Sequence, residues 1–189
     1  MTEASRCFVA VPLGDPLRAA LSTAAARWRQ QPPADQLRWA QPEAWHLTLA
    51  FLGPVAREVL PSVTAAIEGV AAAHPVSEVA TGRLGAFHRP RSARVLWYGV
   101  ADPAGRLAAL AADLAGAIGL PAGEPFRPHV TLARARHASV DLRGWIEPAS
   151  ASAPDGALGV DRIELLRSHL GRGPARYETL AAFDLGGRG

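Results

Sequence analysis

The sequence has very little sulfur and no lysine. Cys7 is the only cysteine among the 189 residues, so a disulfide within the chain is excluded. It lies in an apolar run, where we expect a small buried side chain rather than a redox group. All 20 basic residues are arginine, and their planar guanidinium groups suit the binding of phosphate oxygens. The net charge of +3 by itself indicates no class of partner.

Long apolar runs and targeting segments are also missing. No stretch approaches the ~20 consecutive apolar residues of a membrane-spanning helix, and residues 1–6 lack the basic-then-apolar order of a secretory signal. The chain is 49% hydrophobic and 20% charged, which is typical of a globular protein that buries a sizeable core as one unit. We therefore expect a single cytoplasmic domain over residues 1–189 that does not contact a membrane and is a monomer by default.

The same order of elements occurs twice in the chain. In the first copy, residues 7–13 are typical of a strand, Asp15-Pro16 supplies the cap of a helix with apolar residues at helical spacing, and residues 45–52 are typical of a strand. That second strand contains the motif His46-Leu47-Thr48-Leu49.

The second copy repeats this order. Residues 95–100 are typical of a strand, Asp102-Pro103 caps a helix with apolar residues between positions 107 and 118, and the next strand contains His129-Val130-Thr131-Leu132. The Asp-Pro pairs lie 87 positions apart and the motif histidines 83 positions apart, so the two spacings nearly agree. We interpret this agreement as a weak internal repeat.

Helix and strand patterns also fill the rest of the chain. A helix is expected over residues 57–73, strands near residues 76–80, 84–87, 159–168 and 177–185, and a loop over residues 149–156. The expected fold is α+β, with α/β-like elements. Two lobes related by an approximate twofold axis would each contribute a mainly antiparallel sheet to a central cleft, with the helices outside.

Each motif puts its polar side chains on one face of a strand. Because alternate residues of a strand point to the same face, His46 shares a face with Thr48, and His129 shares one with Thr131. The apolar residues between them point to the core. A twofold axis would bring both histidines and both threonines into one cleft.

Two imidazoles and two hydroxyl groups in one cleft suit the cleavage of a cyclic phosphodiester. A neutral imidazole can remove a proton from water while a protonated one donates to the leaving oxygen, because imidazole titrates near neutral pH. The threonine hydroxyls can donate hydrogen bonds to phosphate oxygens. This scheme needs neither a metal nor another cofactor, and the motifs alone leave open which histidine donates.

The two motif histidines also allow a structural and a metal-binding interpretation. A single histidine on a strand face is more often a hydrogen-bonded structural residue, but the duplication favours a functional role for both. Two histidines can also ligate a metal. The sequence has no cysteine pair, no His-x-x-x-His spacing and no carboxylate beside either motif histidine, which argues against a metal site.

Five stretches that span nearly the whole chain carry a resemblance to a known family. They are residues 6–12, 45–53, 94–99, 126–134 and 168–177, and they include both motifs with their flanks. They resemble the two-histidine phosphoesterase superfamily, and within it the bacterial and archaeal RNA 2',3'-cyclic phosphodiesterases, also called 2'-5' RNA ligases. The resemblance implies a bilobed fold and the conversion, without a metal, of a 2',3'-cyclic phosphate on an RNA end to a 2'-phosphate. Joining RNA ends through a 2'-5' bond is the reverse reaction, which we expect to be secondary.

The resemblance also implies roles for individual residues. His46 would be the proton donor to the 3' oxygen and His129 the proton acceptor that activates water. Thr48 and Thr131 would hold phosphate oxygens.

Three further residues are candidates for substrate contact. Arg134 matches an arginine that follows the second motif in this family, but strict alternation would put it on the opposite face from His129, so a contact needs a bulge or the end of the strand. Phe126 is a candidate for stacking on a base, with core packing as the alternative. Arg94 is a candidate for a phosphate contact, with solvent exposure as the alternative.

Two other functions would use the same cleft. One is hydrolysis of small cyclic nucleotides or of ADP-ribose 1'',2''-cyclic phosphate. The other is a non-catalytic module that binds RNA or a nucleotide. The second alternative does not require matched pairs of histidine and threonine, and both pairs are intact.

Overall fold

Nine strands and four α-helices form the regular structure of the described residues. The computed structural model describes residues 4–121, 123–169 and 175–186. Its strands are β1 (Ala4–Pro12), β2 (Leu37–Trp39), β3 (His46–Ala56), β4 (Ser77–Phe87), β5 (Val95–Val100), β6 (His129–Ala135), β7 (Gly156–Val160), β8 (Arg162–His169) and β9 (Arg176–Asp184). Its helices are α1 (Asp15–Trp28), α2 (Leu60–Ala73), α3 (Arg106–Ile118) and α4 (Ile146–Ala151). No helix in the described ranges is both long and apolar enough to cross a membrane.

The described strands form one antiparallel sheet made of two halves. Their order is β7-β4-β5-β6-β3-β1-β8-β9, with β2 beside β6. The two motif strands, β3 and β6, are joined at the single residue pair Leu47–Val130. The two expected sheets are therefore the halves of one sheet, with this pair as their junction.

The halves are built from the same connections. β1, α1 and β3 follow one another in the first half as β5, α3 and β6 do in the second, with the short β2 inserted between α1 and β3. In each half the motif strand is innermost and the strand that precedes the helix lies next to it. The internal repeat and the α+β fold with two pseudo-twofold-related lobes are confirmed.

The Asp-Pro pairs contribute to the helix starts in a different way from the one predicted. The residues at the N-cap positions are Gly14 and Gly105, and neither Asp15 nor Asp102 occupies a cap. Asp15 lies in the first turn of α1 and forms an ion pair with Arg18 at 2.8 Å. Asp102 precedes α3 by several residues, yet its Oδ2 accepts a hydrogen bond from the backbone N–H of Ala108 at 2.9 Å.

Four other segments differ from the sequence expectation. The strand expected near residues 159–168 is divided between β7 and β8. The predicted helix over residues 57–73 begins as a 3-10 turn, Arg57–Val59, before α2. The two strands expected near residues 76–80 and 84–87 are one strand, β4. The loop expected over residues 149–156 is wrong at its start, because α4 extends to Ala151.

The main core lies between the sheet and the helices. Leu47 and Val130, the junction pair, are fully buried and belong to the same cluster as the apolar residues of α1, α2 and α3. Helix α3 packs against β3, and α2 packs against α3 and β9. Because side chains alternate along a strand, helix packing on the face of Leu47 leaves the face of His46 open.

Candidate active site

The junction between the two halves sets the geometry of the motif residues. β3 and β6 are antiparallel and pair at Leu47 and Val130. Continuing this register by one residue places His46 opposite Thr131 and Thr48 opposite His129. All four polar side chains are half-buried, and the structure therefore brings the two predicted pairs together about one twofold axis.

Each histidine ring is held by a backbone carbonyl two residues earlier. The Nδ1–H of His46 donates to the carbonyl oxygen of Ala44 at 2.8 Å, and the Nδ1–H of His129 donates to that of Arg127 at 2.6 Å. Because a carbonyl can only accept, both rings carry a proton on Nδ1 and leave Nε2 for a ligand. Nε2 then accepts a proton when the ring is neutral and donates one when it is charged.

The surroundings of both rings disfavour the charged form. Burial lowers the pKa of His46 to about 4, and the nearby charges of His129 and Arg134 act in the same direction. Burial, followed by the charge of Arg134, also lowers the pKa of His129. The hydrogen bonds to Ala44 and Arg127 oppose these shifts without reversing them. Both imidazoles are therefore neutral in the ligand-free protein at neutral pH.

Aromatic side chains surround both histidines, and the sequence analysis did not identify them as part of the site. The ring of His46 lies 4.8 Å from that of Phe8 and 5.1 Å, edge-on, from that of Tyr177. His129 lies 4.7 Å, edge-on, from Phe87 and 6.3 Å from Trp97. Phe8 and Trp97 lie on the strands next to the motif strands, whereas Tyr177 and Phe87 lie on strands further along the sheet. The motifs therefore carry no local signal of these four residues.

The Trp97 ring has a close neighbour in the sheet. It lies over Gly85 so closely that a Cβ at that position would be 2.1 Å from the ring. Only glycine leaves room for the indole there, and this packing holds the indole near His129.

A β-bulge in each motif strand breaks the alternation of faces. In β6 the partners change from Trp97–Thr131 to Leu96–Ala133, which leaves Leu132 as an extra residue. Leu132 and Ala133 are consequently both buried, and the next residue, Arg134, is exposed. The bulge that a contact by Arg134 requires is thus present, and the charge of Arg134 affects both imidazoles.

The matching bulge in β3 exposes a different residue. The partners of β3 change from Ala10–Thr48 to Val9–Ala50, and the counterpart of Arg134 is Phe51, which is 71% exposed. Phe51 lies 6.1 Å from Phe8, ring centre to ring centre. The two halves of the site therefore differ, because one is aromatic beyond the histidine and the other is basic.

The remaining candidates fall in two places. Arg94 is exposed and lines a groove together with Arg134 and Phe87. Phe126 is partly buried and packs against the main core, and no ring contact joins it to either histidine within the described ranges. The structure thus favours core packing for Phe126.

The hydroxyl groups of Thr48 and Thr131 make no hydrogen bond with any residue that the structure describes. No group of three or more His, Cys, Asp or Glu side chains comes together there in an arrangement that could hold a metal ion. Among the described residues, the polar groups near the junction include two imidazole Nε2 atoms, two threonine hydroxyls and the guanidinium of Arg134.

This combination suits an anionic ester. Two imidazoles that present Nε2 can exchange protons with oxygens, while hydroxyl and guanidinium donors can bind non-bridging phosphate oxygens. The fold and the arrangement of the two motifs are typical of the two-histidine phosphoesterase class.

Comparisons with known sequences agree with this class. A model of the 2'-5' RNA ligase superfamily matches residues 15–172. The RNA 2',3'-cyclic phosphodiesterase of Geobacillus stearothermophilus is 32% identical over 186 residues, which are 96% of this chain and 57% of that protein. The chain therefore spans just over half the length of this relative. The RNA 2',3'-cyclic phosphodiesterase of Aeropyrum pernix is 30% identical over 151 residues, which are 76% of this chain and 84% of that protein.

Solved structures share the whole fold. E. coli LigT in its apo form has a TM-score of 0.76 at 25% identity, and the match covers 97% of this chain and 98% of LigT. E. coli LigT complexed with 3'-AMP has a TM-score of 0.71 at 26% identity, with 97% and 99% covered. The chain belongs to the 2'-5' RNA ligase superfamily, and the resemblance that its motifs indicate is confirmed.

Proposed function

We propose that the protein hydrolyses 2',3'-cyclic phosphate ends of RNA to 2'-phosphates by histidine acid–base catalysis. The observation that carries this proposal is the matched presentation of the two imidazoles. Each has its Nδ1–H bonded to the carbonyl two residues earlier, and each leaves Nε2 available on opposite sides of a twofold axis. The names of the related proteins supply the substrate.

The reaction needs one proton acceptor and one donor. The oxygen of a water molecule bonds to phosphorus, and its proton passes to Nε2 of neutral His129. The bond from phosphorus to the 3' oxygen breaks, and that oxygen takes a proton from Nε2 of charged His46. The products are a 2'-phosphate and a 3'-hydroxyl, and a proton returned from His129 to His46 through solvent restores the site. If the 5'-hydroxyl of a second RNA takes the place of water, its oxygen bonds to phosphorus, the bond to the 3' oxygen breaks in the same way, and two RNA ends are joined through a 2'-5' bond. Ligation therefore uses the same acid and base roles and is not the reversal of hydrolysis that the resemblance leads us to expect. We expect hydrolysis to dominate.

Binding of the substrate favours the protonated form of His46. The pKa of His46 is about 4 in the free protein, so His46 enters the cycle neutral at neutral pH. A bound phosphodiester carries a negative charge beside the ring and favours its protonated form. The same charge offsets that of Arg134, which lowers the pKa of both histidines.

The phosphate oxygens have donors from the protein. Thr48 and Thr131 lie beside the opposite histidine, and their hydroxyls can hold the non-bridging oxygens as charge builds up on them. Arg134 adds a positive charge on the same face. We therefore propose that these three side chains stabilise the transition state without a metal ion.

A product assay tests the function. The protein is incubated, with excess chelator, with an oligonucleotide that ends in a 2',3'-cyclic phosphate, and the end group is identified. We expect a 2'-phosphate at an unchanged rate with and without chelator. Failure to form any 2'-phosphate would contradict the function, and dependence on an added divalent metal would contradict the mechanism. The cytoplasmic location and the monomeric state stay predictions.

A further inference from the structure

A groove next to the histidines has a strongly one-sided charge. It has a volume of about 610 Å³ and is lined by the side chains of Arg38, Arg94 and Arg134 together with His88 and His137. We call it the basic groove. It adjoins the site through Phe87, which lines the groove and also contacts His129.

Two of its arginines lie directly opposite each other in the sheet. Arg38 of β2 is the register partner of Arg134 of β6, so their side chains leave the sheet on the same face. Arg94 is next to this pair, because its carbonyl oxygen accepts a hydrogen bond from the N–H of Ala135. Like charges directly opposite each other destabilise a sheet.

Among the residues that the structure describes, none contributes a compensating negative charge to the groove. None of its lining residues is Asp or Glu, and none of the three arginines forms an ion pair with any residue in the described ranges. Other arginines of the chain do form such pairs, for example Arg83 with Glu147 and Arg143 with Asp141. The charges of the groove are thus available to an anionic ligand.

In the proposed function the cyclic phosphate of a terminal nucleotide lies at His46 and His129. Neither histidine lines the basic groove, whereas Arg38 and Arg94 do, so a ligand that occupies both the site and the groove extends beyond one phosphate. We propose that the basic groove binds the backbone phosphates of the RNA strand whose cyclic end is at the two histidines, which makes the substrate an oligonucleotide rather than a mononucleotide. This inference rests on the proposed function for the position of the cyclic end.

A comparison of two substrates tests the inference. One is a 2',3'-cyclic mononucleotide, and the other is an oligonucleotide of about ten residues with the same end. For the wild type we expect a higher kcat/KM on the oligonucleotide. In the double variant Arg38→Gln and Arg94→Gln, we expect kcat/KM on the oligonucleotide, divided by kcat/KM on the mononucleotide, to fall roughly tenfold or more. The cause should be a higher KM for the oligonucleotide. Arg57→Gln is the matched control, because Arg57 is exposed at the far end of β3 and outside the groove.

Equilibrium binding provides a readout that does not depend on turnover. The affinity for a fluorescent oligonucleotide with a 2'-phosphate end is measured as a function of salt concentration. The slope of log K against log salt is negative, and each lost phosphate contact lowers its magnitude by about 0.7 for a single strand. In the double variant the magnitude of the slope should therefore fall by about twice that amount, while Arg57→Gln keeps the wild-type slope.

The outcomes separate the inference from the proposed function. If the wild type hydrolyses the oligonucleotide but the double variant retains the substrate ratio and the salt slope, the groove proposal is wrong and the function stands. If nothing is hydrolysed but binding depends on Arg38 and Arg94, the function is wrong and an RNA-binding groove stands. A dinucleotide pyrophosphate that competes better than the oligonucleotide would also overturn the proposal.

Discussion

His46 and His129 have the same hydrogen bond to a carbonyl and different surroundings. His46 lies between Phe8 and Tyr177, and burial lowers its pKa to about 4. His129 lies beside Phe87 and Trp97, and its pKa is lowered by the same cause. The matched hydrogen bonds do not show which ring donates a proton and which accepts one, so a chemical experiment must separate the two roles.

A change of the leaving atom separates the donor from the acceptor. His46→Ala and His129→Ala should each lower kcat on the normal substrate roughly 100-fold or more. With sulfur in place of the 3' oxygen, the leaving thiolate needs no protonation, because a thiol is far more acidic than a hydroxyl. His46→Ala should then recover most of the rate and His129→Ala none. The opposite pattern would mean that His129 is the donor and His46 the acceptor. If either variant kept full activity on the normal substrate, that histidine would have no catalytic role.

Removal of the Arg134 charge should move the pH dependence of the reaction. Its positive charge lowers the pKa of both histidines, so Arg134→Gln raises both. The pH profile of kcat/KM reports the free enzyme, and we expect both of its limbs to shift to higher pH, as apparent values of the coupled pair. Arg57→Gln should leave the profile in place. An unshifted profile in Arg134→Gln would show that its charge does not reach the rings.

At the scale of single elements, the two Asp-Pro pairs look alike in sequence and act differently. Helix α1 begins at Asp15 itself, one residue earlier than a cap at Asp15 would place its start. Helix α3 begins four residues after Asp102, because the chain turns at Gly105 in a left-handed conformation with φ of 66°. The side chain of Asp102 nevertheless reaches forward to the first turn of α3, where it accepts a hydrogen bond from the N–H of Ala108.

These contacts predict unequal costs of substitution. Asp102→Ala leaves the N–H of Ala108 without its acceptor and should lower the free energy of unfolding by about 1 kcal/mol, as the loss of a cap does. Asp15→Ala removes an exposed ion pair with Arg18 and should cost less. Urea denaturation of the two variants measures the difference. Equal losses would contradict a capping role for Asp102.

The bulges show what a sequence pattern can and cannot reveal. Alternation predicts the shared face of His46 and Thr48 because it is strict at those positions. It fails after Leu49 and Leu132, where a second apolar residue, Ala50 or Ala133, follows at once. Two consecutive apolar residues at matching places in both motifs are a visible signal of the bulges. The neighbours Tyr177 and Phe87 gave no such signal, because only the pairing of distant strands brings them to the histidines.

At the scale of the whole molecule, the junction pair determines how the two halves of the site face each other. Leu47 and Val130 are fully buried and form the residue pair at which β3 and β6 meet. The internal repeat predicted that the motifs come together, but the junction depends on the register between two strands far apart in the chain, which no local pattern contains.

Truncation at this junction should affect both stability and activity. Leu47→Ala should lower the free energy of unfolding by about 2–5 kcal/mol, as for other buried leucines. It should also lower kcat, because small displacements of catalytic groups are costly. Denaturation and kinetics on the same preparation measure both. Val59→Ala is the control, since Val59 is 47% exposed. Loss of stability with an unchanged kcat would mean that the junction does not align the histidines.

The difference between Phe51 and Arg134 has a consequence for how such a site can originate and diverge. A half-chain carrying one motif could form a complete site only by pairing with a second copy of itself, and both copies would then carry the same side chain beyond the histidine. With both halves encoded in one polypeptide, each position mutates independently. Phe51 on one side and Arg134 on the other are an example of such independent change. They make the two ends of the site different, although its geometry is twofold.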